Sequence, residues 1–176
     1  MSILDNNFHD IFVEEGHPFY GNIYSLDKFE FNNWVKENFI EKATIESFDI
    51  VQPSKEMLEK LFQKGYVHIS NQCHYQAKAV NIIDKEFEYW TGFVNRQDPY
   101  FPIITHSFNI YHGKIVDFSR INDDFTIVDE ADAYFPNVYY GINIPSEFVL
   151  KFKDETFNDS SMNPLLYEWF VETNNL

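Results

Sequence analysis

The stretch ISNQCHYQAKAVNIIDKEFEYWTGFV (residues 69–94), with PIITHSFNIYHGKIVDFSRI (residues 102–121) after a polar loop, decides the predicted fold. Its first half contains the only cysteine of the chain, Cys73, just before a helical pattern. Its second half has the pattern of a β-hairpin and carries His106 and Asp117. A thiol, an imidazole and a carboxylate placed in this way are candidates for a nucleophile, a base and an orienting acid.

The first strand of the predicted hairpin is Ile103–Tyr111, where side chains alternate between two faces. His106, Phe108 and Ile110 share one face, which we expect to be the buried one. The other face carries Thr105, Ser107, Asn109 and Tyr111.

His112-Gly113 is the predicted turn, because glycine adopts positive φ without steric cost. The return strand is then predicted over residues 114–118, with Phe108 opposite Asp117. In this register Asp117 shares a face with the candidate histidine, and diagonal neighbours lie roughly 7–8 Å apart at the backbone. Burying either ionisable group alone would be costly, whereas a paired imidazole and carboxylate satisfy each other and fix the histidine tautomer.

Cys73 is predicted at the N-terminus of a helix, after the cap-competent polar residues 70–72 and before Ala77, Val80 and Ile83 at helical spacing. The positive end of the helix dipole lowers the pKa of a thiol and favours the reactive thiolate. Backbone N–H groups at this end also point outward, towards the position of a developing oxyanion.

Each of these residues also has a purely structural interpretation. A lone cysteine is most often a small buried hydrophobe, and a lone histidine on a strand is usually a satisfied core residue. The chain has a cysteine at a helix start, then a histidine on a strand and an aspartate on the next strand. This order favours a catalytic role for these residues over a structural one. Two rival bases rank below His106: His74, predicted to point off the opposite side of the helix start, and His112, at the tip of the turn.

The layout resembles the papain-like and transglutaminase-like cysteine hydrolases, in particular small bacterial and phage members. The matching pieces are CHYQA (residues 73–77), YWTGFV (residues 89–94), and HSFN with VDFS (residues 106–109 and 116–119). The resemblance covers residues 66–121, with a vaguer similarity in YYGINIP (residues 139–145). It implies a catalytic triad of Cys73, His106 and Asp117, on an active-site helix packed against an antiparallel sheet.

The oxyanion hole departs from the pattern of that family. Papain-like peptidases place a glutamine some residues upstream of the nucleophile, whereas the nearest one here, Gln72, is adjacent to Cys73. Asn71, Gln72 and backbone N–H groups are therefore the candidates for oxyanion stabilisation. Trp90 is a candidate for the wall of a substrate cleft, on position alone.

The elements along the chain predict an α+β fold in a single domain over residues 1–176, with a catalytic core at about residues 66–145. Helices are predicted from residue 33 and over residues 53–65, strands over residues 87–94 and 134–144, and a terminal helix over residues 163–172. The N-terminal helices and the active-site helix are expected to pack on an antiparallel sheet built mainly from the second half of the chain.

The charge of −15 and the pI near 4.6 argue against binding to nucleic acids or anionic membranes, both of which require basic surface. A basic protein would complement this charge and is the partner that the composition favours. One cysteine excludes an internal disulfide, and no Cys/His spacing indicates a structural zinc site. With no signal-peptide pattern and no long apolar run, we expect a cytoplasmic protein, in the producing cell or, if it is phage-encoded, in the host.

The leading hypothesis is a cysteine-dependent acyl-transfer enzyme, an amidase, peptidase, deamidase or transglutaminase-like protein, that acts on a protein or a small amide or ester without a cofactor. The alternative is an acidic binding or inhibitor protein that mimics nucleic acid on a degenerate hydrolase fold. A metal site formed by Cys73, His74, His106 and Asp117 is a weaker third hypothesis. The sequence does not determine the oligomeric state.

Overall fold

The structure is a computed structural model that describes residue 37 and residues 50–51, 53–69, 72–95, 103–121, 138–155 and 164–175. Its strands are β1 (Ile50–Val51), β2 (Phe87–Asn95), β3 (Ile103–Tyr111), β4 (Lys114–Val116) and β5 (Val138–Ile144). Its helices are α1 (Lys55–Gln63), α2 (Cys73–Ile83), α3 (Ser146–Val149) and α4 (Leu166–Asn174), with short 3₁₀ helices η1 (Phe118–Arg120) and η2 (Leu150–Glu155). Over these ranges, each helix is too short or too polar to cross a membrane.

The strands form one sheet in the order β1-β4-β3-β2-β5. Strands β4, β3, β2 and β5 are antiparallel neighbours, and the two-residue strand β1 pairs in parallel with β4. The α+β prediction is confirmed, but the sheet is not antiparallel throughout. The parallel strand, β1, comes before the first strand that the sequence pattern predicts, which begins at residue 87. The helix predicted from residue 33 lies outside the described ranges, apart from residue 37.

The helix predicted over residues 53–65 forms as α1. Ser54 caps it, because its side chain accepts a hydrogen bond from the backbone N–H of Met57 at 3.1 Å. Leu58 and Leu61 are buried, as the apolar stripe predicts. The strand predicted over residues 87–94 is β2, and the predicted terminal helix is α4. The strand predicted over residues 134–144 is described from residue 138 onward, where it is β5.

The hairpin has the predicted two-residue turn. His112 and Gly113 both adopt positive φ, 50° and 74°, and Tyr111 pairs with Lys114 as predicted. The return strand is shorter than predicted, because β4 ends at Val116 and does not include Asp117. The carboxylate of Asp117 accepts the backbone N–H of Ser119 at 3.0 Å, and this local bond begins η1 in place of a fourth strand residue.

Both faces of β3 are buried, so the prediction of one buried face was incomplete. His106 and Phe108 are buried on one side, and Ser107 and Asn109 are buried on the other. Helix α2 packs on the side of Ser107 and Asn109, where the side-chain amide of Asn109 donates to the carbonyl of Ala77 at 3.0 Å. The polar residues on this face are therefore part of the helix–sheet interface.

Among the described residues, two apolar clusters fill the interface between the helices and the sheet, and a third covers the opposite face. The first two join α1, α2, α3 and α4 to the sheet through aromatic and aliphatic side chains, including Leu61, Tyr75, Phe87, Tyr89, Phe148 and Leu165. The third consists of Val94, Phe108, Ile110, Ile115 and Tyr139, with Trp90 at its margin. This third cluster lies on the His106 face, so the candidate histidine has apolar neighbours.

Substituting the turn glycine tests the hairpin register. Gly113→Val should destabilise the protein by about 1–2 kcal/mol, because a β-branched residue in the left-handed region clashes with its own backbone. His112→Asn is the matched control, since asparagine tolerates positive φ, and it should be nearly neutral. Urea unfolding followed by tryptophan fluorescence measures both. Equal stability of the valine variant and the wild type would contradict this turn.

Candidate active site

The thiol of Cys73 lies at the first residue of α2, as predicted, and is only partly buried. Gln72 occupies the N-cap position and makes no side-chain cap hydrogen bond. Gln76, one turn into the helix, donates from its amide to the carbonyl of Ile69, which ties the chain before the cysteine to the helix after it. Asn71, the other predicted oxyanion residue, lies outside the described residues.

His106 and Asp117 form a buried hydrogen-bonded pair, with 2.8 Å between Nε2 and Oδ2. The exposed fractions are 6% for His106 and 3% for Asp117, so the pair is shielded from water. The prediction that the two side chains share a face is confirmed. Because Nε2 is held by the carboxylate, Nδ1 is the ring nitrogen left for the thiol.

Further donors surround the carboxylate of Asp117. Oδ1 accepts the backbone N–H of Ser119 at 3.0 Å and its hydroxyl at 2.6 Å. Oδ2 accepts the hydroxyl of Tyr139 at 2.7 Å in addition to the imidazole. Burial alone raises the pKa of Asp117, but the charge of His106 and these hydrogen bonds outweigh it and lower the pKa. The buried carboxylate therefore stays ionised.

Two imidazole groups, those of His106 and His74, influence the pKa of the Cys73 thiol. Burial raises the pKa of Cys73, but the charges of His106 and His74, with hydrogen bonds from both rings, outweigh burial and lower the pKa to about 4. Burial lowers the pKa of His106, whereas the charges of Asp117 and Cys73 and hydrogen bonds with both raise it above its usual range. These opposite shifts favour a thiolate beside an imidazolium at neutral pH.

His74 does not point away from the nucleophile, so that prediction was wrong. Its Nδ1 lies 2.7 Å from the hydroxyl oxygen of Ser107 on β3. Because Ser107 faces α2, this contact turns the ring towards the sheet. His112, the other rival base, is exposed at the turn tip as predicted.

The ring of His106 and the Ser107 hydroxyl that contacts His74 lie on opposite faces of the sheet. His106 and Ser107 are consecutive on β3, so their side chains point to opposite sides. Strand β4 pairs with β3 only from Asn109 onward, so the part of β3 that carries His106 and Ser107 extends past its end. The start of α2 brings Cys73 to this segment.

Trp90 is half-buried on the His106 face, where its ring stacks on Phe108 with 6.3 Å between centroids. Its indole N–H donates to the carboxylate of Glu88 at 2.9 Å. The residue of β2 opposite His106 is Gly92, so Trp90 lies farther along the strand from the thiol. Its role as a cleft wall stays a prediction.

Metal-site geometry is not found in the described residues, where no group of three or more His, Cys, Asp or Glu side chains could hold an ion. The comparisons with known proteins give no further assignment: no protein-family model, curated protein or solved structure matches the chain.

Three contributors to the site were missed from the sequence. The Asp117–Ser119 contact follows the local Asp-x-Ser pattern of an Asx turn and could have been found. The sequence predicts the wrong side for the ring of His74, because the position of Ser107 relative to α2 depends on helix–sheet packing. Tyr139 lies on a strand far along the chain, and no local pattern links it to Asp117.

Removing the hydroxyl of Tyr139 tests the carboxylate network. Tyr139→Phe should lower the free energy of unfolding by about 2 kcal/mol, because a buried ionised group loses one of its donors. Tyr140→Phe, on the neighbouring residue of β5, is the matched control and should have a smaller effect. Urea unfolding at pH 7 measures both. Indistinguishable values for the two variants would argue against the network.

Proposed function

We propose that the protein is a cysteine-dependent acyl-transfer enzyme in which Cys73 is the nucleophile, His106 the general acid and base, and Asp117 the orienting carboxylate. One observation carries the proposal: His106, whose charge lowers the pKa of the Cys73 thiol against the effect of burial, is held at Nε2 by a buried carboxylate at 2.8 Å. A histidine and an aspartate paired only for stability would not need a nearby thiol whose pKa the ring lowers.

The proposed reaction has two halves. The Cys73 thiolate attacks the substrate carbonyl, and the π electrons of the C=O bond move onto oxygen. When the C=O bond re-forms, the bond to the leaving group breaks, and His106 gives that group its proton. Water or an amine then attacks the thioester and passes a proton to His106, and the sulfur leaves as a thiolate.

Asp117 has two roles in this mechanism. Its bond to Nε2 holds the ring and leaves Nδ1 as the nitrogen that exchanges protons in the reaction. Its charge balances the imidazolium that is present before the attack and after the second half-reaction. Because Ser119 and Tyr139 occupy further positions around the carboxylate, Asp117 has little freedom to leave the ring.

The resemblance to papain-like and transglutaminase-like hydrolases belongs to the same proposal. The arrangement that the resemblance implies has a cysteine at a helix start, a histidine on the adjacent strand and an aspartate after the following strand. Amidases, peptidases, deamidases and transglutaminases share this chemistry, so the substrate class is an amide or ester. The charge of −15 favours a basic protein as substrate over a nucleic acid, and a cytoplasmic location is part of the proposal.

Alkylation of Cys73 by iodoacetamide tests the activated thiolate. Because the pKa of Cys73 is lowered to about 4, labelling should be nearly as fast at pH 6 as at pH 8.5. A free thiol of pKa ~8.5 loses on the order of 10² in thiolate fraction over the same interval. His106→Ala should make the labelling rate fall between pH 8.5 and pH 6.

The matched control for this labelling experiment is His112→Asn, which changes an exposed histidine at the turn tip. Its labelling should follow the wild type at both pH values. A wild-type rate at pH 6 as slow as that of a free thiol would contradict the proposed enzyme.

The acidic composition supports a second candidate function, a binding or inhibitor protein that presents carboxylates to a basic site. The observation in its favour is the composition of the chain, which has 28 acidic residues and 13 basic ones. Cys73→Ala separates the two functions, because it abolishes an acyl-transfer reaction and leaves charge-based binding intact. Reaction with p-nitrophenyl acetate measures the first, and retention on an immobilised basic protein at low salt measures the second.

A further inference from the structure

Tyr139 donates to the same carboxylate oxygen that holds the imidazole of His106. Its hydroxyl lies 2.7 Å from Asp117 Oδ2, and Nε2 of His106 lies 2.8 Å from that atom. The backbone N–H and the hydroxyl of Ser119 occupy the other oxygen, Oδ1, at 3.0 Å and 2.6 Å. A carboxylate has about four lone-pair sites, so these donors saturate it. Tyr139 and His106 therefore share Oδ2.

The phenol of Tyr139 is held at this oxygen by its packing. Only 2% of the residue is exposed. Its ring meets that of Phe108 edge-on with 5.0 Å between centroids, and its centroid lies 5.7 Å from that of the His106 ring. Tyr139 is on β5, which pairs with β2, and β2 pairs with β3, the strand that carries His106. The hydroxyl is therefore placed at Asp117 by the sheet.

Two donors on one oxygen affect each other through the charge of the carboxylate. When His106 is protonated, its positive charge compensates Asp117, and when the ring is neutral, the carboxylate depends more on its other donors. The Tyr139 hydroxyl therefore stabilises Asp117 most in the state in which the ring has lost its proton. A donor at this position lowers the proton affinity of the imidazole.

This proton affinity matters most in the second half of the proposed reaction. Burial lowers the pKa of His106, whereas the charges of Asp117 and Cys73 outweigh burial and raise the pKa. Acylation removes the charge of the thiolate. Among the described residues, the titratable groups that then face the ring are Asp117 and Tyr139, since the residue opposite on β2 is Gly92. Nδ1 must be unprotonated at this stage to accept a proton from the attacking water.

We propose that Tyr139 is a positioning residue that weakens the hold of Asp117 on the proton of His106, so that the ring becomes a base once Cys73 is acylated. The inference rests on the proposed acyl-transfer function. A phenol buried only for stability needs an acceptor of any kind, whereas this one donates to the oxygen that the imidazole uses. Tyr139 acts through Asp117 in this scheme.

An NMR titration of His106 tests the inference without a substrate. In Cys73→Ala protein with isotope-labelled histidine, adding Tyr139→Phe should raise the midpoint of the His106 titration by about one pH unit, because Oδ2 then serves the imidazolium alone. Ser119→Ala removes a donor from Oδ1 and should raise the midpoint less. Tyr140→Phe, on the opposite face of β5, is the control and should leave it unchanged. The signal of His106 is identified by its absence in a His106→Gln variant.

Two further measurements extend the comparison. A ring-fluorinated tyrosine at position 139 keeps the hydroxyl and makes it a stronger donor, so the midpoint should fall. This protein provides the comparison if Tyr139→Phe fails to fold. In the enzyme that retains Cys73, Tyr139→Phe should preserve the burst of p-nitrophenolate from p-nitrophenyl acetate. The later steady-state release requires a neutral ring, so its rise with pH should move upward by about one pH unit.

The outcomes separate this inference from the function on which it rests. An unchanged or lowered midpoint in Tyr139→Phe would overturn the inference and leave Tyr139 with a structural role. Equal shifts in Ser119→Ala and Tyr139→Phe would overturn it as well, because the shared oxygen would then have no special effect. Absence of a burst from the wild type would instead contradict the proposed function, and the titration would still report the effect of Tyr139 on His106.

Discussion

The buried hydrogen bond between His106 and Asp117 is the interaction on which the candidate site depends. An ionised carboxylate that is only 3% exposed is tolerated because donors surround it on both oxygens. The same bond orients the imidazole, and the orientation leaves one nitrogen for the thiol of Cys73. Without it, the histidine would be a polar group in an apolar cluster.

Much of this pair was predictable because it depends on local rules. Glycine and the residue before it adopt positive φ in a two-residue hairpin turn, and that turn fixes the register of the strands. The register in turn places His106 and Asp117 on the same side. The helix start at Cys73 was equally local, since it follows from the polar residues before it and the apolar spacing after it.

The predictions that were wrong or incomplete concern contacts between segments that are distant in the sequence. The orientation of His74 follows from the position of Ser107 against α2, and the second donor to Oδ2 comes from Tyr139 on β5. The parallel pairing of β1 with β4 likewise joins segments far apart in the chain. The alternation of side chains along a strand indicates which face each residue lies on. Which helix or strand covers that face depends on tertiary packing.

Burial of both faces of β3 has a physical consequence for the chemistry of the site. A half-exposed strand could leave its polar side chains to water, whereas here Ser107 and Asn109 must find partners within the protein. Asn109 bonds to the backbone of α2, and Ser107 bonds to His74, so the two polar groups hold the helix and its first turn against the sheet.

Hydroxyl contacts extend this coupling beyond the site, because Ser107 also contacts the hydroxyl of Tyr89 at 3.2 Å. Through Tyr89 it reaches the backbone N–H of Leu165, the N-cap residue of α4, so the position of the C-terminal helix and the orientation of the His74 ring share one network. A buried network of this kind is stable only when every member is satisfied, because an unpaired group in a low-dielectric interior is costly. The residues that orient the candidate site therefore also hold the fold together, and a change in the packing of α4 should be transmitted to the ring beside the thiol.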